Sequence, residues 1–106
     1  SCESDSWSPC GPVDAVICAV AAAEPTGVAD VARHLAPLLA SAGLAGAPLL
    51  VLAEDQDAPL AVPCWRVAEE LGLHGSGRPW SVQGCCRAAR ARREGVLEGL
   101  QWLVQA

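Results

Sequence analysis

Two hydrophobic rhythms alternate along this chain. Val13 to Val20 (VDAVICAV) is a short apolar run with β-branched residues, bounded by Pro12 and by Glu24-Pro25, and predicts a strand buried on both faces. From about Gly27 to Ser41 the apolar positions Val28, Val31, Leu35 and Leu38-Leu39 recur at helical spacing, with Thr26 placed to cap and Gly43 and Gly46 to stop the helix. Pro37 falls inside that pattern and is expected to kink or loosen the last turn. Pro48 to Ala53 (PLLVLA) predicts a second buried strand, and Glu54 to Pro59 an acidic loop. A helix from about Leu60 or Pro63 to Leu71 should face inward with Cys64, Val67 and Leu71, and end at Gly72. Trp80 to Cys85 predicts a third strand. Residues 87 to 94 read as a basic connector, and a last helix starts near Gly95 with Val96, Leu97, Leu100, Leu103 and Val104 as its apolar stripe.

Strand and helix alternating three times predicts an α/β fold, a three-stranded parallel sheet with helices on its faces. Residues 1–12 (SCESDSWSPCGP) are polar and turn-rich, an irregular lead-in to one domain at 13–106. The core must be aliphatic, because Phe, Tyr and Met are absent and the aromatics are four Trp. A net charge of −5 argues against nucleic-acid partners and anionic membrane surfaces. No apolar run approaches the roughly 18 to 20 residues of a membrane span. No signal-peptide pattern opens the chain, and the expected compartment is intracellular, the cytoplasm. The chain has no Lys at all. It therefore cannot form a Walker-A loop, which needs its Lys to reach phosphates.

The candidate chemistry is thin. Six cysteines are present (Cys2, Cys10, Cys18, Cys64, Cys85, Cys86), without a CxxC pair or a Cys/His cluster at zinc spacing. Cys18 and Cys85 fall in predicted strands and Cys64 opens a helix, so they read as small buried hydrophobes; Cys2 and Cys10 could pair with each other. Glu54, Asp55 and Asp57 lack the longer ligand pattern of a calcium loop and read as a solvated acidic loop, so no metal is expected. His34 and His74 have no nucleophile near them in sequence. Arg87, Arg90, Arg92 and Arg93 form a basic patch: a solvated connector, or a helical extension that meets an acidic partner. Trp65 lies on the flank of its helix, either exposed for a partner or folded over Pro59 or Pro63.

Several segments together resemble the C-terminal half of an ADP-ribosylation-factor-like (Arf/Arl) small GTPase. Val51 to His74 runs without a gap along that family's strand, its Asn-Lys-Gln-Asp base-recognition motif, Leu-Pro, and a helix ending Leu-Gly-Leu-His. Here these read Glu54-Asp55-Gln56-Asp57, Ala58-Pro59 and Leu71-Gly72-Leu73-His74. Asp14 to Val20 resembles the strand ending Phe-Val-Val-Asp, whose Asp would fall at Ala21. Pro79 to Gln83 resembles a Trp-x-x-Gln strand, and Gly95 to Leu103 (GVLEGLQWL) a Gly-Leu-x-Glu-Gly-Leu-x-Trp-Leu helix. Trp80 and Trp102 fall at family positions and read as packing residues. Trp7 aligns loosely with a Trp of the family's switch II region.

The resemblance implies a nucleotide-binding scaffold without its nucleotide site. In the family the motif's Asn holds the guanine edge, Lys packs on the base and Asp takes two ring N–H groups. The first two positions are Glu54 and Asp55, and Asp57 keeps its chemistry as a degenerate remnant. The third base motif, Cys-Ala-Thr, would map near Cys86-Arg87-Ala88, with an Arg-rich insertion behind it. In the family's sheet the strand matching Val13 to Val20 pairs with the phosphate-loop strand, so the resemblance implies an open apolar edge there. The reading that follows is a non-catalytic pseudo-GTPase, without cofactor, acting as a protein-interaction scaffold. Its partner covers that edge, or a homodimer does, or residues 1–12 fold back on it. Val16, Trp65, Arg90, Arg92 and Arg93 are the candidate interface residues. Two alternatives are a guanine-nucleotide site whose phosphate-binding half is supplied elsewhere, and a small redox or metal protein built on the cysteines.

Overall fold

The computed structural model describes residues 13–44 and 46–106. Three parallel strands form one sheet in the order β1-β2-β3: β1 (Val16–Val20), β2 (Leu49–Ala53) and β3 (Trp80–Gly84). They pair in level register, Val16 with Leu49 with Trp80 through Val20 with Ala53 with Gly84. Three helices connect and follow them: α1 (Gly27–Leu39), α2 (Cys64–Glu70) and α3 (Ala89–Gln105). The α/β architecture expected from the alternating pattern is therefore present.

The sheet separates two apolar layers. On one face, Val20, Leu49, Val51 and Ala53 pack with Val28 and Leu35 of α1, Val67 and Ala68 of α2, and Leu73. On the other, Leu50, Leu52 and Cys85 pack beneath Val96, Trp102 and Leu103 of α3. All five residues of β2 are buried, as a central strand covered on both sides must be.

Glycine sets how closely α3 approaches. A Cβ on Gly99 would lie 3.0 Å from a methyl of Leu50, and one on Gly95 would lie 2.7 Å from the carbonyl oxygen of Gly84. The pair is one helical turn apart and lets the helix backbone lie nearly against β2 and β3. Arg78 ties the molecule together elsewhere. Its guanidinium donates to the carbonyls of Leu39, Leu44 and Ala47 at 2.9 to 3.0 Å, which satisfies oxygens at the end of α1 and in the turns that follow it.

The structure departs from the sequence reading at several boundaries. Residues 89–94 are not a connector but the first turns of α3. Ala and Arg are strong helix formers, and the helix extends N-terminally until the extended backbone of Ala88. Thr26 precedes α1 but makes no side-chain bond to its free N–H groups; its hydroxyl donates to the Asp30 carboxylate at 3.2 Å. Helix α1 continues through Pro37 to Leu39. Gly72 ends α2 as expected, in the left-handed conformation at φ 68°. The lead-in at 1–12, with Trp7 and the Cys2–Cys10 pairing, lies outside the described residues.

Candidate functional site

The acidic loop and the Arg-rich segment sit side by side. Both follow C-terminal ends of neighbouring parallel strands: Glu54 comes directly after β2, and Arg87 three residues after β3. Parallel register brings those ends level, so the two loops meet at one end of the sheet, where open α/β sheets carry their ligand sites.

Two ion pairs close this end. Arg92, one turn into α3, holds the Glu54 carboxylate in a fork, with Nε and Nη2 each 3.0 Å from one oxygen. Glu54 is only 18% exposed there, while Arg92 is half exposed. The bond to Glu54 raises the Arg92 pKa above its ordinary value. Asp57 accepts the main-chain N–H of Arg87 at 3.0 Å and faces its guanidinium at 3.4 Å. That N–H, with the nearby guanidinium, holds the Asp57 carboxyl below the usual carboxylate range. Gln56 spans the loop, donating from Nε2 to the carbonyl of Val62 at 2.9 Å. Asp55 carries the tight turn between them at φ 58°, a left-handed conformation that a short polar side chain tolerates.

Glu54 and Asp57 thus have cations within this chain, and the expectation of a solvated acidic loop is corrected at these two residues. Sequence reading treated the two segments as separate features. The signal that would have joined them is their common position, each just beyond the end of one of two consecutive parallel strands. Arg90, by contrast, pairs with Glu94 along the helix surface at 3.3 Å. Arg93 is exposed and, among the described residues, faces no carboxylate.

Among the described residues, strand β1 lies at one edge of the sheet. Its main-chain bonds assign the direction of each residue. Val16 N–H donates to Pro48 and Val20 C=O accepts from Glu54, both toward β2. In a parallel strand the alternate residues Ile17 and Ala19 then turn their N–H and C=O to the open edge. The side chains alternate too. Val16 and Cys18 pack on the α1 and α2 side, whereas Ile17 is 51% exposed on the α3 side. Among side chains the outward position on this strand is Ile17, one residue beyond the candidate Val16.

Trp65 stands 66% exposed on α2, so its ring is not folded away. With Cys64, Ala68, His74, Trp80, Ser81 and Val82 it lines a shallow hollow of about 340 Å³ beside β3. His74 meets the Trp80 ring edge-on, centroids 5.0 Å apart, and serves as packing there. Burial pushes the Cys18, Cys64 and Cys85 thiols above their ordinary pKa, consistent with small apolar packing groups. No cluster of three or more metal-ligating side chains occurs among the described residues. None of their helices is long and apolar enough to cross a membrane.

The sequence profile of the ADP-ribosylation factor family matches residues 7–106, nearly the whole chain. The chain belongs to the ADP-ribosylation factor family. One similar protein is ADP-ribosylation factor-like protein 5 of Caenorhabditis elegans, 34% identical over 92 residues. That alignment covers 85% of this chain and 50% of the relative, so the chain spans about half the length of the curated relative it matches. The family match runs through the closed end of the sheet, so the Glu54 to Asp57 loop and its arginine partners are features of an Arf-family chain.

Proposed function

We propose that this Arf-family chain is a non-catalytic protein-interaction module, a pseudo-GTPase that takes no nucleotide and receives a partner's strand on the open edge of β1. The observation that carries the reading is the closed end of the sheet. At the positions where the family places Asn and Lys for the guanine base, this chain has Glu54 and Asp55. Glu54 is clamped by Arg92, and Asp57, the one motif residue with its chemistry kept, is bonded to the main chain of Arg87. A guanine entering here would have to break both contacts and would meet carboxylates in place of an amide and an ammonium.

The edge supports the interaction side of the reading. VICAV contains no charge, Pro or Gly, the usual devices that keep an edge strand from pairing. A strand added there gains main-chain bonds to Ile17 and Ala19, the general mode of β-augmentation. Ala19→Pro is the suitable variant, since it removes an N–H from the open edge and none from the ladder with β2. In affinity purification of the tagged chain from cells, a stoichiometric partner should be present with wild type, retained with Trp65→Ala and lost with Ala19→Pro. A wild-type preparation without partner but with bound guanine nucleotide would instead support a GTPase whose phosphate-binding half comes from elsewhere.

A further inference from the structure

Strand β3 is the other outer strand of the sheet among the described residues. Two bonds give the direction of its main chain. Pro79 C=O accepts from Leu49 and Cys85 N–H donates to Ala53, so the odd-numbered residues turn toward β2. Trp80 and Val82 then turn their N–H and C=O groups outward. Gly84 shares that parity, but its carbonyl accepts from Gln83 Nε2 at 3.2 Å and lies close under Gly95. The unpaired stretch is Trp80 to Val82, with no charge, Pro or Gly to discourage pairing.

The two faces beside this stretch differ. Toward α2, Trp80 and Val82 pack on the larger core, and the 340 Å³ hollow opens between them and Trp65. Ala68, one turn beyond Cys64, lines it with only a methyl group. Trp65 bounds it with a ring that is 66% exposed, a residue type enriched where binding energy concentrates. Toward α3, Ser81 and Gln83 alternate with the core residues, and the near flank of the helix carries Glu98. The Glu98 carboxylate accepts one long bond, 3.5 Å from Gln83 Nε2. Among the described residues no arginine pairs with it.

These faces specify the occupant. A strand added about 4.8 Å outside β3 sends its side chains alternately to the two faces. Those on the α2 side enter the hollow beside Trp65 and must be apolar. Those on the α3 side pass Glu98, where a Lys or Arg gains a carboxylate and an acidic residue is repelled. We propose that the outer edge of β3 accepts an extended segment of a partner protein in which apolar and basic residues alternate, the apolar ones seated beside Trp65 and a basic one on Glu98. The main-chain groups of Trp80 and Val82 supply the pairing, and the two faces supply the selectivity. This site is separate from the β1 edge and stands without it.

The probe is a synthetic nonapeptide alternating Val and Lys. Its controls are the same composition with Val and Lys in separate blocks, and an alternating Val-Glu peptide. In ¹⁵N NMR of the 106-residue chain, the Val-Lys peptide should shift the Val82 amide and the Trp65 indole saturably. The block control should bind at least ten-fold more weakly. N-methylation of one alternate set of peptide residues should abolish binding and methylation of the other set should spare it, because only one set faces β3. Trp65→Ala should weaken the peptide about ten-fold, and Glu98→Lys should reverse the preference between the Lys and Glu peptides. Both positions are too exposed to threaten folding. Equal response to the first peptide and its block control overturns the proposal, as does an unchanged preference in Glu98→Lys. Loss of binding in a folded Ala19→Pro chain overturns it too, since the peptide would then sit on β1. So does sedimentation showing a dimer that Trp65→Ala dissociates, because a second copy would then fill the hollow.

Discussion

Single residues at two places hold this molecule in its form. Gly95 has no room for a side chain, because a Cβ would press on the Gly84 carbonyl at 2.7 Å and reach Cys85 Sγ at 3.4 Å. Gly95→Ala should therefore destabilise the fold by about 1–3 kcal/mol, despite the better helix propensity of Ala, as read by urea unfolding. Stability equal to or above wild type would contradict the tight helix–sheet approach. Asp57 is the second place. Its carboxyl is held low by the Arg87 main-chain N–H, so the contact contributes fully above the ordinary carboxylate pKa of 3.8 and is lost as pH falls through the lowered folded value. Followed by NMR, the Arg87 amide should keep one position from pH 7 to about 4 and move only in stronger acid. Movement centred above pH 5 would show that the bond is not formed in solution.

At the scale of elements, the sequence was most legible where hydrophobic period and turn residues agree. The three apolar runs gave the strands, LLVLA within one residue of its ends and VICAV with its start three residues later than Val13, and Gly72 gave the stop of α2. The start of α3 was not legible, since Ala-Arg repeats have no apolar stripe and carry only propensity. Its meaning was hidden for a related reason. The contact between Glu54 and Arg92 spans 38 residues, and only the parallel order of β2 and β3 brings the two together. The role of Arg78 is hidden likewise, because its partners are main-chain carbonyls that leave no trace in the side-chain pattern. On β1 the run of apolar residues hid the alternation that separates Val16, turned to the core, from Ile17, turned outward.

At the scale of the whole molecule, one end of the sheet is closed by ion pairs and, among the described residues, one edge is unpaired and uncharged. A chain built to bind guanine at the sheet end would present unpaired groups there. This one presents carboxylates already bonded to its own arginines. The Arf-family scaffold is proposed here to serve contact with protein rather than nucleotide. Isothermal titration of the 106-residue chain with GDP, and then GTP with Mg²⁺, tests it most directly. No saturable heat is expected for either nucleotide at concentrations up to about 1 mM, a ceiling that corresponds to binding weaker than about 4 kcal/mol. Saturable micromolar binding of GDP that Asp57→Ala abolishes would contradict it.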